Sequence, residues 1–270
     1  MQLVDTHCHI QSAGSGNGER LTHEKWTKAP ERTPEIIVAD AVRAGVDRMI
    51  CVGCDVNDSR LAVDFVQNHP ETWASIGIHP HEAKRYVDDS AALSDFSSLT
   101  DREKVVAVGE CGLDYYYGHS PQVDQAKILR YQIELALAHD KPMIFHVRDA
   151  FDDFWPIFDD YKGIRGVLHS FTDTEANLDK AMERGLHIGV NGIATFARDP
   201  DQLNMYKKVP LSRLLLETDA PFLTPSPYRG TICEPYHIKV IAEFLGGLRE
   251  EAVSDLARVT TENAARLFKI

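Results

Sequence analysis

The sequence predicts a (β/α)8 barrel, an α/β fold of the TIM type, as a single domain over residues 1–270. Eight short apolar runs alternate with stretches of helical periodicity along the chain, which is the pattern of βα units in series. Most runs are rich in Val, Ile and Leu without clean alternation, as expected for strands buried on both faces of a parallel sheet. A doubly wound sheet uses the same units, but the count of eight and the length of 270 residues favour the barrel.

The eight predicted strands follow one another at intervals that leave room for a helix between most of them. They are expected at Gln2–Thr6, Val46–Val52, Trp73–Ile78, Val105–Gly109, Met143–His146, Gly166–His169, His187–Val190 and Leu214–Glu217.

The predicted helices have recognisable beginnings. Pro34 and Pro121 each follow a Thr or Ser, and proline at the first helical position is a common start. Further helical patterns lie near 57–69, 149–161, 174–185, 199–208, 235–246, 249–258 and 261–268. The Gly-rich, polar segment from Ser12 to Pro30 is expected to be a long loop over the mouth of the barrel.

Composition and charge exclude several classes of protein. The formal net charge of −12 argues against a module that binds nucleic acid by neutralising phosphates. No apolar run approaches the roughly 20 residues that span a bilayer. The sequence shows no secretory signal before Gln2, and five scattered cysteines, including the Cys51–Cys54 pair, are interpreted as reduced, buried thiols. These features predict a cytoplasmic protein without a membrane or obligatory protein partner.

Imidazoles and carboxylates fall at the carboxyl ends of five predicted strands, the face where barrel enzymes have their active sites. In the first strand the two histidines are separated by one residue, so both side chains can point to the same side. A lone His-x-His is a weak signal, but burying six such groups together without a metal would be costly. The candidate ligands are His7, His9, Glu110, His146, His169 and Asp219.

Six protein donors are too many for one open catalytic ion, and they suit two divalent ions such as Zn, Mg, Mn or Fe. The two histidines of the first strand and Asp219 are assigned to one ion, and the histidines of strands five and six to the other. Glu110 would bridge them as a catalytic ligand. Asp219 is also the candidate general base that accepts a proton from the attacking water and passes it to the leaving group.

Four further residues are candidates for binding substrate. Arg148 follows His146 by two residues and could reach a phosphate at the metals, although an ion pair with a nearby carboxylate is the alternative. Arg229, His79 and His81 lie near other strand ends. Tyr115–Tyr117 could stack on a nucleobase, but packing within a loop is also open.

The chain resembles the TatD family of metal-dependent deoxyribonucleases within the amidohydrolase superfamily. The matching segments lie in the family's order along nearly the whole chain. They are D-T-H-C-H at 5–9, G-I-H-P-H at 77–81, G-E-C-G-L-D-Y at 109–115, P-M-I-F-H-V-R-D at 142–149, L-H-S-F at 168–171 and E-T-D-A-P-F-L-T-P at 217–225.

The resemblance implies hydrolysis of phosphodiester bonds in DNA, often from 3′ to 5′, and the expected substrate is single strands or DNA ends. The segment Ser170–Asp173 and the region around Arg229 depart from the family's usual residues, and the first loop is longer than usual. None of these departures affects a candidate ligand, but they leave the substrate preference open.

Two alternatives remain open from the sequence. One is a related hydrolase of the superfamily that acts on a small phosphate ester, lactone or amide. The end of strand four is Glu110 rather than a lysine, which disfavours the subgroup that bridges its metals with a modified lysine. The other alternative is a non-catalytic barrel that binds a ligand, and the intact set of candidate ligands argues against it.

Overall fold

A computed structural model describes residues 2–14 and 18–270 as one eight-stranded parallel sheet in which each strand pairs with the next. A parallel bridge between Cys8 and Ala220 joins the two ends of the sheet. The predicted (β/α)8 barrel is thereby confirmed. Its strands are β1 (Leu3–Cys8), β2 (Val46–Val52), β3 (Thr72–Ile76), β4 (Val105–Asp114), β5 (Met143–Arg148), β6 (Gly166–Leu168), β7 (His187–Val190) and β8 (Leu214–Leu216).

Eleven α-helices occur within the described ranges, most of them between consecutive strands. They are α1 (Arg20–Trp26), α2 (Pro34–Arg43), α3 (Val56–Gln67), α4 (Ala83–Tyr86), α5 (Ser90–Ser97), α6 (Gln122–Ala138), α7 (Phe151–Asp159), α8 (Glu175–Glu183), α9 (Pro200–Lys208), α10 (Ile238–Arg249) and α11 (Val253–Phe268). In the chain from 2 to 14 and from 18 to 270, none of the helices is long and apolar enough to cross a membrane.

The strands contribute to two separate apolar clusters because successive side chains point to opposite faces. In β1, Leu3 belongs to the larger cluster and Val4 to the smaller one. The smaller cluster also contains Ile50 and Ile144 from other strands, together with Phe268 from the last turn of α11. The barrel therefore has a filled interior near the amino ends of its strands, and the open end is the opposite one.

Polar contacts between β1 and the segment after β8 reinforce the closure of the barrel. The Thr6 hydroxyl donates to the carbonyl of Leu216 at 2.9 Å. The amide and hydroxyl of Thr218 donate to the two carboxylate oxygens of Asp5 at 2.9 and 2.5 Å. The Asp219 amide donates to the carbonyl of His7 at 2.8 Å. These hydrogen bonds hold His7 and Asp219 close together although the two residues are far apart in sequence.

Part of the segment from Ser12 to Pro30 forms a helix, which corrects the prediction of a loop for that part. It contains α1, and the Glu19 side chain caps this helix by accepting from the amides of Leu21 and Thr22 at 2.9 and 2.8 Å. The Trp26 indole donates to the carbonyl of His9 at 2.9 Å. These contacts attach the segment to β1. Residues 15–17 lie outside the described ranges.

Other element boundaries also differ from the sequence predictions. Helices α4 and α5, between β3 and β4, were not predicted, and the patterns near 249–258 and 261–268 belong to the single helix α11. Strand β4 continues five residues beyond the predicted end at Gly109, to Asp114. All five cysteines are buried free thiols, as predicted.

Candidate metal centre

The six candidate ligands converge at the carboxyl end of the barrel. The Nε2 atoms of His7 and His9 lie 3.2 Å apart. His9 Nε2 is 3.3 Å from Asp219 Oδ1, and His7 Nε2 is 3.7 Å from the same oxygen. Asp219 takes a left-handed backbone conformation with φ of 62° three residues after the end of β8, and its amide donates to the β1 carbonyl of His7. These three side chains form one side of the site.

Glu110 lies between this side and the other histidines, and its two oxygens face different partners. Oε2 is 3.4 Å from His7 Nε2. Oε1 is 2.9 Å from His146 Nδ1 and 3.5 Å from His169 Nε2. Donor atoms of His7, His9 and Glu110, and separately of His7, His169 and Asp219, lie close enough together to hold a cation. Glu110 thus contacts histidines on both sides of one continuous cluster of donors.

Both carboxylates are suited to a cation because they are ionised. Burial raises the pKa of Glu110, but the charge of His169 and hydrogen bonds from His146 and His7 outweigh it and hold the pKa well below its usual range. Burial is likewise outweighed for Asp219, whose pKa is lowered by its hydrogen bond with His9. The site therefore contains two negative charges, a buried one on Glu110 and a partly buried one on Asp219, which a metal ion would neutralise.

The histidines differ in their affinity for a proton. Burial, followed by the charge of His169, lowers the pKa of His7, which leaves the neutral imidazole that metal binding requires. Burial opposes protonation of His9 and His169 too, but Asp219 raises the pKa of His9 to about 9, and Glu217 raises that of His169 to about 10. A cation bound here would compete with these protons.

Two buried carboxylates behind the histidines were not found by sequence reasoning. Glu217 Oε1 lies 3.1 Å from His169 Nδ1, and Asp114 Oδ2 lies 3.0 Å from His146 Nε2. A carboxylate on the second ring nitrogen fixes the orientation of a metal-binding histidine. Their closeness in sequence to candidate ligands could have indicated them, because Asp114 follows Glu110 by four residues and Glu217 precedes Asp219 by two.

A cavity of about 700 Å³ opens over these side chains. His79, His81 and Arg148 line it, as expected for residues near bound substrate. His81 Nε2 lies 3.0 Å from Asp114 Oδ2, and His79 Nε2 lies 3.6 Å from Glu110 Oε1. Among residues 2–14 and 18–270, no carboxylate forms an ion pair with Arg148. The structure therefore does not support the alternative in which Arg148 pairs with a nearby carboxylate.

Arg229 is placed differently from the other three substrate candidates. It is not among the residues that line the cavity. Its guanidinium lies 3.8 Å from the centre of the Phe196 ring and donates to the carbonyl of Thr224 at 3.1 Å. Its predicted contact with substrate stays a prediction.

A parallel α/β barrel with a cluster of histidine and carboxylate donors at the carboxyl ends of its strands defines a metal-dependent hydrolase of the barrel class. The family model for TatD related DNase matches residues 4–269. The chain belongs to this family. The predicted class of enzyme, a metal-dependent hydrolase acting on ester bonds, is thereby confirmed, as is the resemblance noted in the sequence.

Individual relatives agree with this assignment over nearly their full length. The uncharacterized metal-dependent hydrolase YabD of Bacillus subtilis is 34% identical over 99% of both chains. The 3′-5′ ssDNA/RNA exonuclease TatD of Edwardsiella piscicida is 36% identical over 87% of this chain and 92% of its own. Among solved structures, the TatD homologue YJJV of Escherichia coli K12 has a TM-score of 0.85 and 26% identity, covering 99% and 98% of the two chains.

Proposed function

We propose that this protein is a deoxyribonuclease that uses two divalent metal ions to remove nucleotides from the 3′ ends of single-stranded DNA. The observation that supports it best is the position of Glu110, whose two oxygens face separate groups of donors. Relatives named 3′-5′ ssDNA/RNA exonuclease support the substrate and the direction.

In this proposal the six candidate ligands are assigned to the two ions as in the sequence analysis. His7, His9 and Asp219 would hold one ion, His146 and His169 the other, and Glu110 would bridge the pair. Two bound ions supply Lewis acidity toward the phosphate and lower the pKa of a water molecule. The geometry of the protein donors fits, because the two sets share a buried carboxylate that is already ionised.

Asp219 is proposed as the proton acceptor. Its side chain is 15% exposed and lines the cavity, so a water molecule entering there can reach the carboxylate. The lowered pKa of Asp219 keeps the group ionised, so the carboxylate carries no proton when a water molecule enters. After the phosphodiester bond breaks, the same group can return the proton to the leaving oxygen.

His79 and Arg148 are proposed to bind the phosphate. The Nδ1 atom of His79 accepts a hydrogen bond from the amide of His81 at 3.2 Å, which places the ring proton on Nε2. Burial lowers the pKa of His79 well below its usual range, so a neutral ring can donate from Nε2 to a phosphate oxygen. Arg148 adds a positive charge at the same cavity, and His81 stabilises the position of Asp114.

The test uses one DNA strand labelled in separate samples at its 3′ or 5′ end, with Mg²⁺, Mn²⁺ or Zn²⁺ added to metal-free protein. We expect the 3′ label to be released at once as a mononucleotide and the 5′-labelled strand to shorten stepwise. Elemental analysis should find two ions per chain.

The Asp219→Asn variant provides the matched control. Its turnover should fall by about 10²- to 10⁴-fold, the usual contribution of a general base, while its circular dichroism spectrum stays that of the wild type. Intact DNA with all three metals, alongside hydrolysis of a small phosphate ester, lactone or amide, would refute the nuclease and favour the related hydrolase.

A further inference from the structure

The loop after β4 presents an aromatic surface to the cavity that the proposed chemistry does not use. Tyr116 and Tyr117 are 59% and 51% exposed, and both line the same cavity as the candidate ligands. Among the described residues, the only other tyrosine with comparable exposure is Tyr228, which does not line it. Two exposed aromatic rings beside a catalytic site require an explanation, since exposing such rings to water is unfavourable.

The two tyrosines are held in place by cationic and aromatic neighbours. The Arg148 guanidinium lies 4.0 Å from the centre of the Tyr116 ring and 4.9 Å from that of Tyr117. The rings of Tyr117 and His119 are nearly parallel, at an angle of 6° with centres 5.8 Å apart. Stacked rings and a planar guanidinium offer flat faces of the kind on which nucleobases stack.

The backbone fixes this surface relative to the candidate metal centre. Asp114 Oδ1 accepts hydrogen bonds from the amides of Tyr116 and Tyr117, both at 3.0 Å. The other oxygen of Asp114 lies 3.0 Å from His146 Nε2. One buried carboxylate thus connects the aromatic surface to a candidate ligand, so a base stacked on the tyrosines would have a defined distance from the phosphate at the metals.

We infer that Tyr116, Tyr117 and His119 form a stacking site for an unpaired nucleobase next to the scissile phosphate. This inference rests on the proposed nuclease function and extends it to the recognition of substrate. A base already paired and stacked in a duplex cannot offer its face to these rings, so the site favours single strands. Because every base has an aromatic face, it should accept all four bases.

The test compares two single strands that differ only at their last two 3′ nucleotides, which carry either bases or tetrahydrofuran residues without bases. We expect wild-type protein to cleave the strand with bases with a kcat/KM about 5- to 150-fold higher, the range that stacking of one base provides. In the double variant Tyr116→Ala, Tyr117→Ala this ratio should fall toward one. The double Phe variant keeps the ring faces and should keep the ratio.

The Tyr228→Ala variant is the matched control, because Tyr228 is 48% exposed and lies outside the cavity lining; its ratio should equal that of the wild type. An unchanged ratio in the double Ala variant would overturn the stacking site even if the nuclease is real. A double Phe variant that behaves like the Ala variant would overturn it too.

If neither strand is cleaved, the nuclease proposal fails, and fluorescence anisotropy judges the stacking site separately. Both labelled strands would then be titrated with the Asp219→Asn protein. If the strand without bases binds more weakly, and the double Ala change in the same protein removes this difference, the stacking site is supported. Equal binding of both strands would refute it.

Discussion

The residues that orient the candidate ligands are as informative as the ligands themselves. Glu217 is 1% exposed and accepts from the amide of Ser170 at 2.6 Å as well as lying beside His169. It therefore fixes both the ring and the backbone of the segment that follows β6. Gly189 in β7 packs directly against the Glu217 side chain, where a side chain larger than hydrogen would collide with it.

We predict that Glu217→Gln weakens metal binding without unfolding the protein. Glutamine has the same shape, so the packing against Gly189 is kept, but it removes the negative charge beside His169. Loss of such an orienting carboxylate typically lowers metal affinity about 10- to 100-fold, and titration against a chelating indicator measures it. Glu243→Gln, on the exposed face of α10, is the control. Equal affinities in both variants would show that Glu217 has no part in orienting the ligand.

The six candidate ligands could be predicted from sequence because donors of the right chemistry recur at the ends of strands. Asp114 and Glu217 could not, since a carboxylate that contacts a histidine rather than an ion has no spacing of its own. The position of Arg229 near the last strand did not show that its side chain would contact Phe196, and its contact with substrate stays a prediction.

At the scale of elements, the central part of the barrel wall depends on a close approach between β4 and β5. Gly112 has a φ of 150°, and a methyl group there would overlap the carbonyl oxygen of His146. This glycine lies between Glu110 and Asp114, the two carboxylates that flank His146. It therefore permits the two strands to bring those carboxylates to opposite sides of one imidazole.

We predict that Gly112→Ala destabilises the fold and lowers metal affinity together, because β5 must move away to accommodate the methyl group. Backbone conflicts of this kind cost more than the roughly 0.4–1 kcal/mol that a compatible Gly-to-Ala change gains. Urea denaturation and a metal titration measure the two effects. Gly247→Ala in α10 is the control, since nothing lies within 4 Å of its added methyl group and it should stabilise the helix. If Gly112→Ala binds metal with unchanged affinity, the close approach is not needed to position His146.

Strands were predicted better than the elements around them. Buried strands give continuous apolar runs, so all eight were found, whereas β4 was cut short at Gly109 because glycine is normally a poor strand residue. Helix α4 has only four residues, too few to show a helical period. The contacts that order the segment around α1 are long-range, such as that from Trp26 to His9, and local sequence does not reveal them.

At the scale of the whole molecule, the two ends of the barrel serve different purposes. The carboxyl ends of the strands gather ionised groups around the cavity, and the amino ends are filled by apolar side chains and the last turn of α11. His187, the first residue of β7, is a polar group near the filled end and is 8% exposed. Burial, followed by the charge of Arg213, lowers its pKa to about 4.

This lowered pKa makes His187 a source of acid sensitivity that is separate from metal binding. The unfolded chain, with an ordinary pKa of 6.5, binds more protons than the folded one below that pH. The contribution to stability is therefore complete above pH 6.5 and is lost as the pH falls toward 4, by about 2 kcal/mol between pH 8 and 5.

We predict that His187→Gln removes this part of the pH dependence, because the glutamine side chain is not protonated between pH 8 and pH 5. Urea denaturation in metal-free buffer at pH 8 and pH 5 gives the free energy of unfolding of both proteins. The variant should lose about 2 kcal/mol less than the wild type between the two values. The measurement at pH 8 isolates any cost of the substitution itself, since the imidazole is neutral there in both states. Identical losses would mean that acid unfolding originates elsewhere, with the protonation of His7 and His79, whose pKa values burial also lowers, as the next cause to examine.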